Sequence, residues 1–460
     1  MKYALAPMLL LVCLFSACIW PRPTPGPVVS PVEMVTQPLT LPYSISLSNP
    51  VQMQDSLQSF ALAEYNGYWL IVGGRTSGFH GTGGPDRTFP VKHANKQFIV
   101  YQPTTGNRWA APLPAAHAEQ LSSTNMPFVQ DGNTLWLTGG YGCMNQSSHA
   151  PCYQTYDLLT AIDVPGMINA LIAEQTSDLG QFITSIQDAR FQVTGGVMAK
   201  MNDYFYLVMG QNYDTIYVNG ITGQYTEEIR RFQAEVSNGA IAISDYSSVQ
   251  NPVFHRRDLN VLEAVRPDGT VGLNVLAGVF QPNAQGGAAW PHPVLIDEDP
   301  NTGRIAYRHD TSFTQNWNAY DSGNVLLYDA ASKTMYTSLL GGITGITFDE
   351  NGKPWNGAGF LPWSKYVSTV VQFPDGTTKE YPQYSPALPG FIGAAGDMVL
   401  NPAVPLVAGT KGVIDYAKLP SGDNLVGWFY GGIISTAVQS NAVSDPTFSS
   451  SAIYEVHLSK

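Results

Sequence analysis

Short apolar and aromatic runs recur along the chain, each ending in glycine or next to it: YWLIVGG to Gly74, TLWLTGG to Gly140, YFYLVMG to Gly210, LNVLAGV to Val279, MYTSLLGG to Gly342 and LVGWFYGG to Gly432. Runs this short and this rich in β-branched and aromatic residues predict buried strands rather than helices. Five of them follow a second apolar strand and a tight polar turn (FALAEYNG, VQDGN, VMAKMND, LEAVRPDGT and LLYDAASK), where Asn-Gly, Asp-Gly or Asn-Asp chemistry predicts hairpins. The turn positions 73, 139, 209, 278, 341 and 431 are spaced 66, 70, 69, 63 and 90 apart, a quasi-period with one long insertion. Such a period marks an architecture made by repeating one supersecondary unit. A β-sandwich with many hairpins is the alternative, but a sandwich does not require a six-fold period. One segment reads as a helix: VPGMINALIAEQ, near 164–175, with apolar residues at helical spacing.

Composition supports an all-β body. Only 13% of the residues are charged, against about 25% in an ordinary globular protein, and Gly (44) with Pro (33) exceeds the usual share. Helices with long charged faces are therefore excluded, and 44% apolar content excludes a disordered chain. No Gly-X-Y period appears, so the chain is not collagen-like. The net charge of −12, with no run of Lys or Arg, repels phosphate backbones and argues against a nucleic-acid partner.

The first residues read as an export address. Lys2 supplies a positive start, Leu5 to Phe15 form an apolar stretch too short to span a bilayer, and Ser16-Ala17 precede Cys18. This pattern resembles a bacterial lipobox, although Phe15 stands where Leu is usual. The resemblance implies a signal peptide over 1–17 and a lipid on Cys18, the membrane anchor. Residues 18–38 form a Pro-rich linker with six prolines between 20 and 38, suited to an extended spacer. Ile19, rather than Asp, follows the cysteine, so a lipid-anchored protein of the cell envelope is expected at the outer membrane or cell surface. Cys13 leaves with the signal. In an oxidising compartment Cys143 and Cys152 then pair as a disulfide pinning one loop. His149 between them supplies too few ligands for a metal, and no metal site is expected.

The unit IVGG followed by FIVYQPTTGNRW, with Tyr101 and Trp109, resembles the kelch repeat of galactose-oxidase-type β-propellers. Other units match in part: Gly210 lacks a partner glycine, Gly278 is followed by Val279, and most lack the Trp. The resemblance implies one six-bladed kelch-like β-propeller over 39–460, with units near 56–122, 123–187, 188–254, 255–320, 321–386 and 387–460. The doublet glycine is needed where a side chain would collide with the next blade. One strand, AIYEVHL (452–458), follows the last doublet, and LTLPYSISL (40–48) precedes the first unit without a partner. Pairing them closes the ring with an N-terminal strand and removes two sheet edges. The stretch 401–424 is then an insertion in the last hairpin.

In such a propeller, residues just after each doublet and just before each innermost strand surround one mouth of the axial channel, where ligands bind. That rule assigns to the mouth Arg75 and His80, Thr124 and Asn125, Tyr141, Gln187 and Asp188, Gln211, then His255, Arg256, Arg257 and Asp258, and finally Gln315 and Asn316. Arg75, Asn125, Asp188, Gln211, Arg257 and Gln315 are expected to converge there. The HRRD stretch (255–258) presents two fork-shaped donors for an anionic or glycan ligand. The alternative is that these arginines pair with Asp258, Asp188 or carbonyls between blades.

Catalytic signatures are sparse. Gly-x-Ser-x-Gly, P-loop and HExxH motifs are absent, and DEDPNTG (297–303) lacks EF-hand spacing and reads as a hairpin turn. Copper oxidases of this architecture need a Cys crosslinked to Tyr, whereas both body cysteines here pair with each other. Sugar mutarotases of similar shape use an acid/base pair near an arginine, which Asp188 or Asp258 beside Arg257 would imitate. The expected function is a surface-anchored propeller that binds a small anionic or glycan ligand, or a protein partner, at its mouth. The alternative is a carbohydrate-active enzyme such as a mutarotase, lyase or oxidase working at the same mouth. No cofactor is identified.

Overall fold

The structure, a computed structural model, describes residues 41–81, 88–143, 152–217, 223–282, 289–345, 347, 362–438 and 446–460. The lipobox, the linker and His149 lie outside them. Each of the six repeat units forms one antiparallel sheet of four main strands, the six blades of a β-propeller. Blade 1 runs Ala61–Tyr65, Tyr68–Val72, Gln97–Gln102, Asn107–Pro112, and blade 2 Phe128–Asp131, Thr134–Thr138, Leu158–Asp163, Ile183–Gln187. Blade 3 is Val197–Met201, Tyr204–Val208, Glu228–Ser237, Ala240–Gln250, and blade 4 Arg257–Val265, Val271–Val279, Val294–Glu298, Ile305–His309. Blade 5 comprises Asn324–Asp329, Thr334–Ile343, Trp363–Gln372, Thr378–Gln383.

Blade 6 is made from both ends of the chain. Gly396–Leu400, Asp423–Gly431 and Thr447–Ser459 are followed, at the outer edge, by Ser44–Leu47, whose residues pair with Val456 to Ser459. The expected N-terminal closure is present. Between blades, alternate residues of facing strands pack together: Leu70, Val72, Phe98 and Val100 of blade 1 meet Leu135, Leu137 and Ile162 of blade 2. The helix Val164–Ile172 seals this layer with Met167 and Ile168. A short helix, Ala118–Leu121, is an addition that periodicity could not show.

Every second strand ends in two consecutive residues in the left-handed region, and in four blades both are glycine. In blade 3 the pair is Met209 (φ 57°) and Gly210 (φ 91°); in blade 4 it is Ala277 (φ 64°) and Gly278 (φ 97°). The fourth relic therefore begins one residue earlier than the sequence pattern indicates. At Gly139 (φ 56°) a Cβ would stand 1.7 Å from the Val193 carbonyl oxygen of the next blade, the collision that excludes a side chain there.

A second set of left-handed residues marks the entry to each innermost strand: Ser59, Asn125, Gly195, Asp258, Asp321 and Ala395, with φ between 36° and 65°. Backbone hydrogen bonds link them around the axis. Asn125 N–H donates to Ser59 O, Gly195 to Asn125, Asp258 to Gly195, Ala395 to Asp321 and Ser59 to Ala395, at 2.7–3.2 Å. Between blades 4 and 5 a side chain makes the link. Asn260 Nδ2 donates to Ala319 O at 2.5 Å, and its Oδ1 accepts from Ser322 N–H at 2.8 Å.

The insertion 401–424 lies inside the last hairpin as expected, but it does more than loop out. Its strand Val413–Asp415 pairs in parallel with Leu326 to Tyr328, on the axial edge of the innermost strand of blade 5. Glu263 of blade 4 accepts from the N–H groups of Lys411 and Gly412, and Lys411 Nζ donates to Asp131 of blade 2 at 2.6 Å. The insertion thus ties three blades together at the end of the innermost strands away from their entries.

Candidate functional site at the channel mouth

The entry loops of the innermost strands and the residues following the doublets meet around a cavity of about 40 Å³. Eight of the residues assigned to the mouth line it: Arg75, His80, Thr124, Asn125, Tyr141, Gln211, Arg257 and Asp258. They come from four blades and span residues 75 to 258, yet share one chamber with Thr194.

Arg75 follows the first doublet and is 4% exposed. Its Nη2 donates to Ser77 Oγ at 2.8 Å and to Thr88 O at 3.0 Å, and the guanidinium lies 4.4 Å over the Phe89 ring. Nη1 is buried without a hydrogen-bond partner, and among the described residues no carboxylate pairs with Arg75. Burial lowers its pKa to about 10, opposed by Tyr153 and Tyr141. A buried guanidinium with an unmet donor is a costly arrangement, and an acceptor reaching Arg75 from the cavity its side chain lines would relieve it.

Arg257 is paired. Its Nε lies 3.3 Å from Asp258 Oδ2, its Nη2 donates to the Tyr217 hydroxyl at 2.6 Å, and Phe280 packs 4.4 Å from its face. Burial opposes its charge, but Asp258 and the surrounding tyrosines outweigh burial and hold it protonated. Burial pushes the Asp258 carboxyl up, against the stabilising influence of Arg257, Tyr320 and Asn125. Asn125 Nδ2 donates to Asp258 Oδ1 at 3.3 Å across the channel. His80 is stacked on Phe79 and near Phe89 and Tyr217, with centroids 4.8–4.9 Å away. Burial drives its pKa down to about 3, and Arg257 and Arg75 add to the effect, so the imidazole is neutral at ordinary pH.

The other six residues assigned to the mouth lie elsewhere. Gln187 Nε2 donates to Asp157 Oδ2 at 2.9 Å, and Asn316 N–H donates to Glu380 Oε2 at 2.7 Å. Asp188 caps a short 3-10 turn and forms an ion pair with Arg190 on the partly exposed surface. His255 stacks on Tyr225 at 3.8 Å and hydrogen-bonds Glu227. Arg256 is 0% exposed and acts as a strut: Nε donates to Val253 O and Nη1 to His292 O, both at 2.9 Å, with Trp290 4.4 Å from the guanidinium. Gln315 Oε1 accepts from Ala277 N–H, within the fourth repeat unit. The expected convergence therefore holds for Arg75, Asn125, Gln211 and Arg257, and fails for Asp188 and Gln315, whose side chains are drawn into local capping and into a hydrogen bond to the second strand of blade 4.

The sequence reading missed the aromatic wall. Phe79, Phe89, Tyr213, Tyr217 and Tyr320 line the chamber. Tyr213 and Tyr217 sit in QNYDTIY, directly after the third doublet, and that position was the available signal. Cys143 and Cys152 are bridged as expected, and the two cysteines cluster with Tyr213, Tyr217 and Phe89 of this wall.

Beneath the mouth lies a second cavity of about 170 Å³, sharing Ser59, Asn125, Gly195, Asp258 and Ala395 with the first. Asp321 and Asp397 line it, and burial pushes both carboxyls up to about 7. Among the described residues no three His, Cys, Asp or Glu side chains gather in a metal-holding cluster.

No protein-family model matches this chain, and no curated protein matches it. Among solved structures, the one titled "Structure of YjhT" is similar over 86% of this chain and 98% of that chain, with 10% sequence identity and a TM-score of 0.45.

Proposed function

We propose that this chain is a divergent kelch-like propeller, lipid-anchored in a bacterial envelope through Cys18, whose channel mouth binds a small carboxylate-bearing ligand such as an acidic sugar. One observation carries the reading: Arg75, whose Nη1 is buried and unpartnered, lines an aromatic-walled cavity. Arg257 adds a second guanidinium whose Nε lacks a hydrogen bond. Tyrosine and phenylalanine faces offer the apolar contact that a sugar ring or similar body takes. The left-handed pair that closes every second strand supports the kelch likeness, and the apolar and Pro-rich start of the chain supports the anchor.

The test is thermal shift followed by calorimetry on the Cys18→Ser mature chain with uronates, sialic acids and neutral oligosaccharides. An acid should raise the melting temperature where its neutral counterpart does not, and Arg75→Gln and Arg257→Ala should each weaken binding at least tenfold, about 1.4 kcal/mol. Equal response to neutral sugars, or full affinity in both variants, overturns the reading.

A carbohydrate-active enzyme is the second reading. It is favoured by the Asp258 carboxyl, which burial pushes up beside Arg257 at the mouth, an arrangement suited to proton transfer. An enzyme converts the acid it binds, and Asp258→Asn then stops turnover while sparing affinity. A binding protein leaves the acid unchanged.

A further inference from the structure

The wall of the mouth at the seam of blades 6 and 1 has a second space behind it. Gln58, Arg75 and Ala94 pair there backbone to backbone. Gln58 and Arg75 line the mouth, whereas their neighbours Leu57 and Thr76, with Ala94, line an open groove of about 530 Å³. The groove lies between the strand Val51–Leu57, which pairs with Thr447–Ser459 of blade 6, and the stretch that leads into the third strand of blade 1. Lys92 and Lys96 bring positive charge to it. Asp55 is the one carboxylate in its described lining, and Arg108 already holds it, with Nε at 2.5 Å and Nη2 at 2.9 Å. Among the described residues neither lysine forms an ion pair.

This charge runs against the trend of the chain. Between Gly73 and Lys96 the sequence carries Arg75, Arg87, Lys92 and Lys96 against Asp86 alone, a net +3 in a protein of net −12. His93 responds to the same field: burial first, then Lys92 and Arg75, hold its imidazole below the usual range, so it is neutral at pH 7. Exposed lysines on a loop are ordinarily solvated surface and nothing more. These two differ because a short path joins them to the mouth. Ser56 Oγ, in the groove, lies 2.6 Å from Ser449 Oγ, and Phe79 N–H, at the mouth, donates to Thr447 Oγ1 at 2.7 Å, so residues 447–449 run from one space to the other. Phe79 lines the mouth, stacks on His80 and is nevertheless 40% exposed. An aromatic face left open at the lip gives a sugar ring leaving the mouth a surface to lie on.

We propose that the mouth receives the end of an acidic oligosaccharide, a chain of uronate-type sugars, whose following residues cross the lip at Phe79 and set their carboxylates on Lys92 and Lys96. The proposal rests on the reading of the mouth as an anion site and gives that site a chain, not a free sugar, as its ligand. The mouth chamber, at about 40 Å³, takes the terminal acid, and the groove, at about 530 Å³, has room for further rings. Exposed ammonium groups hold carboxylates weakly and in a salt-dependent way, so the groove adds a severalfold gain in affinity to what the mouth supplies. The acidic remainder of the surface repels a polyanion, which leaves this basic stretch as the place where one lands.

The test is calorimetry on the Cys18→Ser mature chain with galacturonate and tetragalacturonate, at about 50 mM and about 500 mM salt. The unaltered protein is compared with Lys92→Gln/Lys96→Gln and with Arg75→Gln. At low salt the tetramer should bind about tenfold tighter than the monomer, and high salt should shrink that gain to about twofold. The double lysine variant should lose the gain while binding the monomer as before and melting within about 1 °C of the unaltered protein. A tetramer no tighter than the monomer, or a gain that survives the loss of both lysines, overturns the groove. So does a tetraglutamate peptide that gains as much from the lysines as tetragalacturonate, since the field alone then accounts for the effect. If only the mouth reading is wrong, galacturonate fails to bind and Arg75→Gln changes nothing, while tetragalacturonate binding still depends on Lys92 and Lys96.

Discussion

Replacing Asn260 by Ala tests the side-chain link between blades 4 and 5. The substitution removes the donor to Ala319 O and the acceptor for Ser322 N–H, and both of those backbone groups belong to buried residues. A buried group left without its partner costs about 1–3 kcal/mol, and two such groups about 2–6. Asn260 borders the channel cavity, so water can reach part of the gap, which places the expected loss near the lower half, at about 3 kcal/mol. With an unfolding entropy of about 2.1 cal/mol/K per residue over 41–460, this corresponds to a fall in melting temperature of about 3 °C. The control is Thr194→Ala between blades 2 and 3. There the Thr194 hydroxyl donates to Asn125 O, but the backbone N–H of Gly195 donates to the same oxygen and survives the change. It should cost less than about 1 kcal/mol. Scanning calorimetry and urea unfolding read both variants. Asn260→Ala melting within about 1 °C of the unaltered protein, or Thr194→Ala losing as much, refutes the reasoning that one side chain substitutes for a missing backbone link.

Asp321 and Asp397 make stability depend on pH. Unfolded, each carboxyl titrates near 4, whereas burial raises both to about 7 in the channel. Between those values the folded state holds more protons than the unfolded one, so stability is greatest below pH 4 to 5 as far as these groups are concerned and declines as pH rises to 7. Asp321→Asn/Asp397→Asn should flatten that decline in melting curves taken from pH 5 to 8, and an unchanged slope would count against the burial argument. For the anchor, Cys18→Ser should move the protein from the membrane fraction to the soluble one; unchanged sedimentation sinks the lipoprotein proposal.

The repeat was legible because a propeller imposes the same local demand in every blade. Hairpin turns, buried second strands and the crowded exit of each strand leave a mark in the sequence, and Gly139 against Val193 O shows why that mark is so often glycine. The relics at Met209 and Ala277 obey the conformation without the residue, which is why the sequence pattern sets the fourth repeat one position late. Partners of single side chains left no such mark. Arg256 and Arg257 are adjacent and of one type, yet Arg256, just before the strand, reaches backbone carbonyls near Trp290, and Arg257, its first residue, reaches the mouth. Asn260, two residues beyond the HRRD stretch, looks like any polar strand residue. Its importance depends on a link that the backbone fails to make at that seam alone.

The composition of the channel waist bears on how its function should be argued. Six residues at equivalent positions must adopt the left-handed conformation for the chain to enter each innermost strand, and they are Ser59, Asn125, Gly195, Asp258, Asp321 and Ala395. Asn, Asp and Gly tolerate that conformation best, because short polar side chains bond locally and glycine has no Cβ. Backbone geometry therefore supplies amide and carboxyl groups to the waist whether or not a ligand uses them, and the acidity there is no evidence of a site by itself. Arg75 and Arg257 differ. No left-handed position calls for arginine, and burying a guanidinium costs free energy that packing alone does not return. Asp258 offsets that cost for Arg257. Nothing described offsets it at Arg75 Nη1. The case for a ligand accordingly rests on the two arginines and the aromatic wall, and variants of Arg75 and Arg257, rather than of the waist carboxylates, are the ones that decide it.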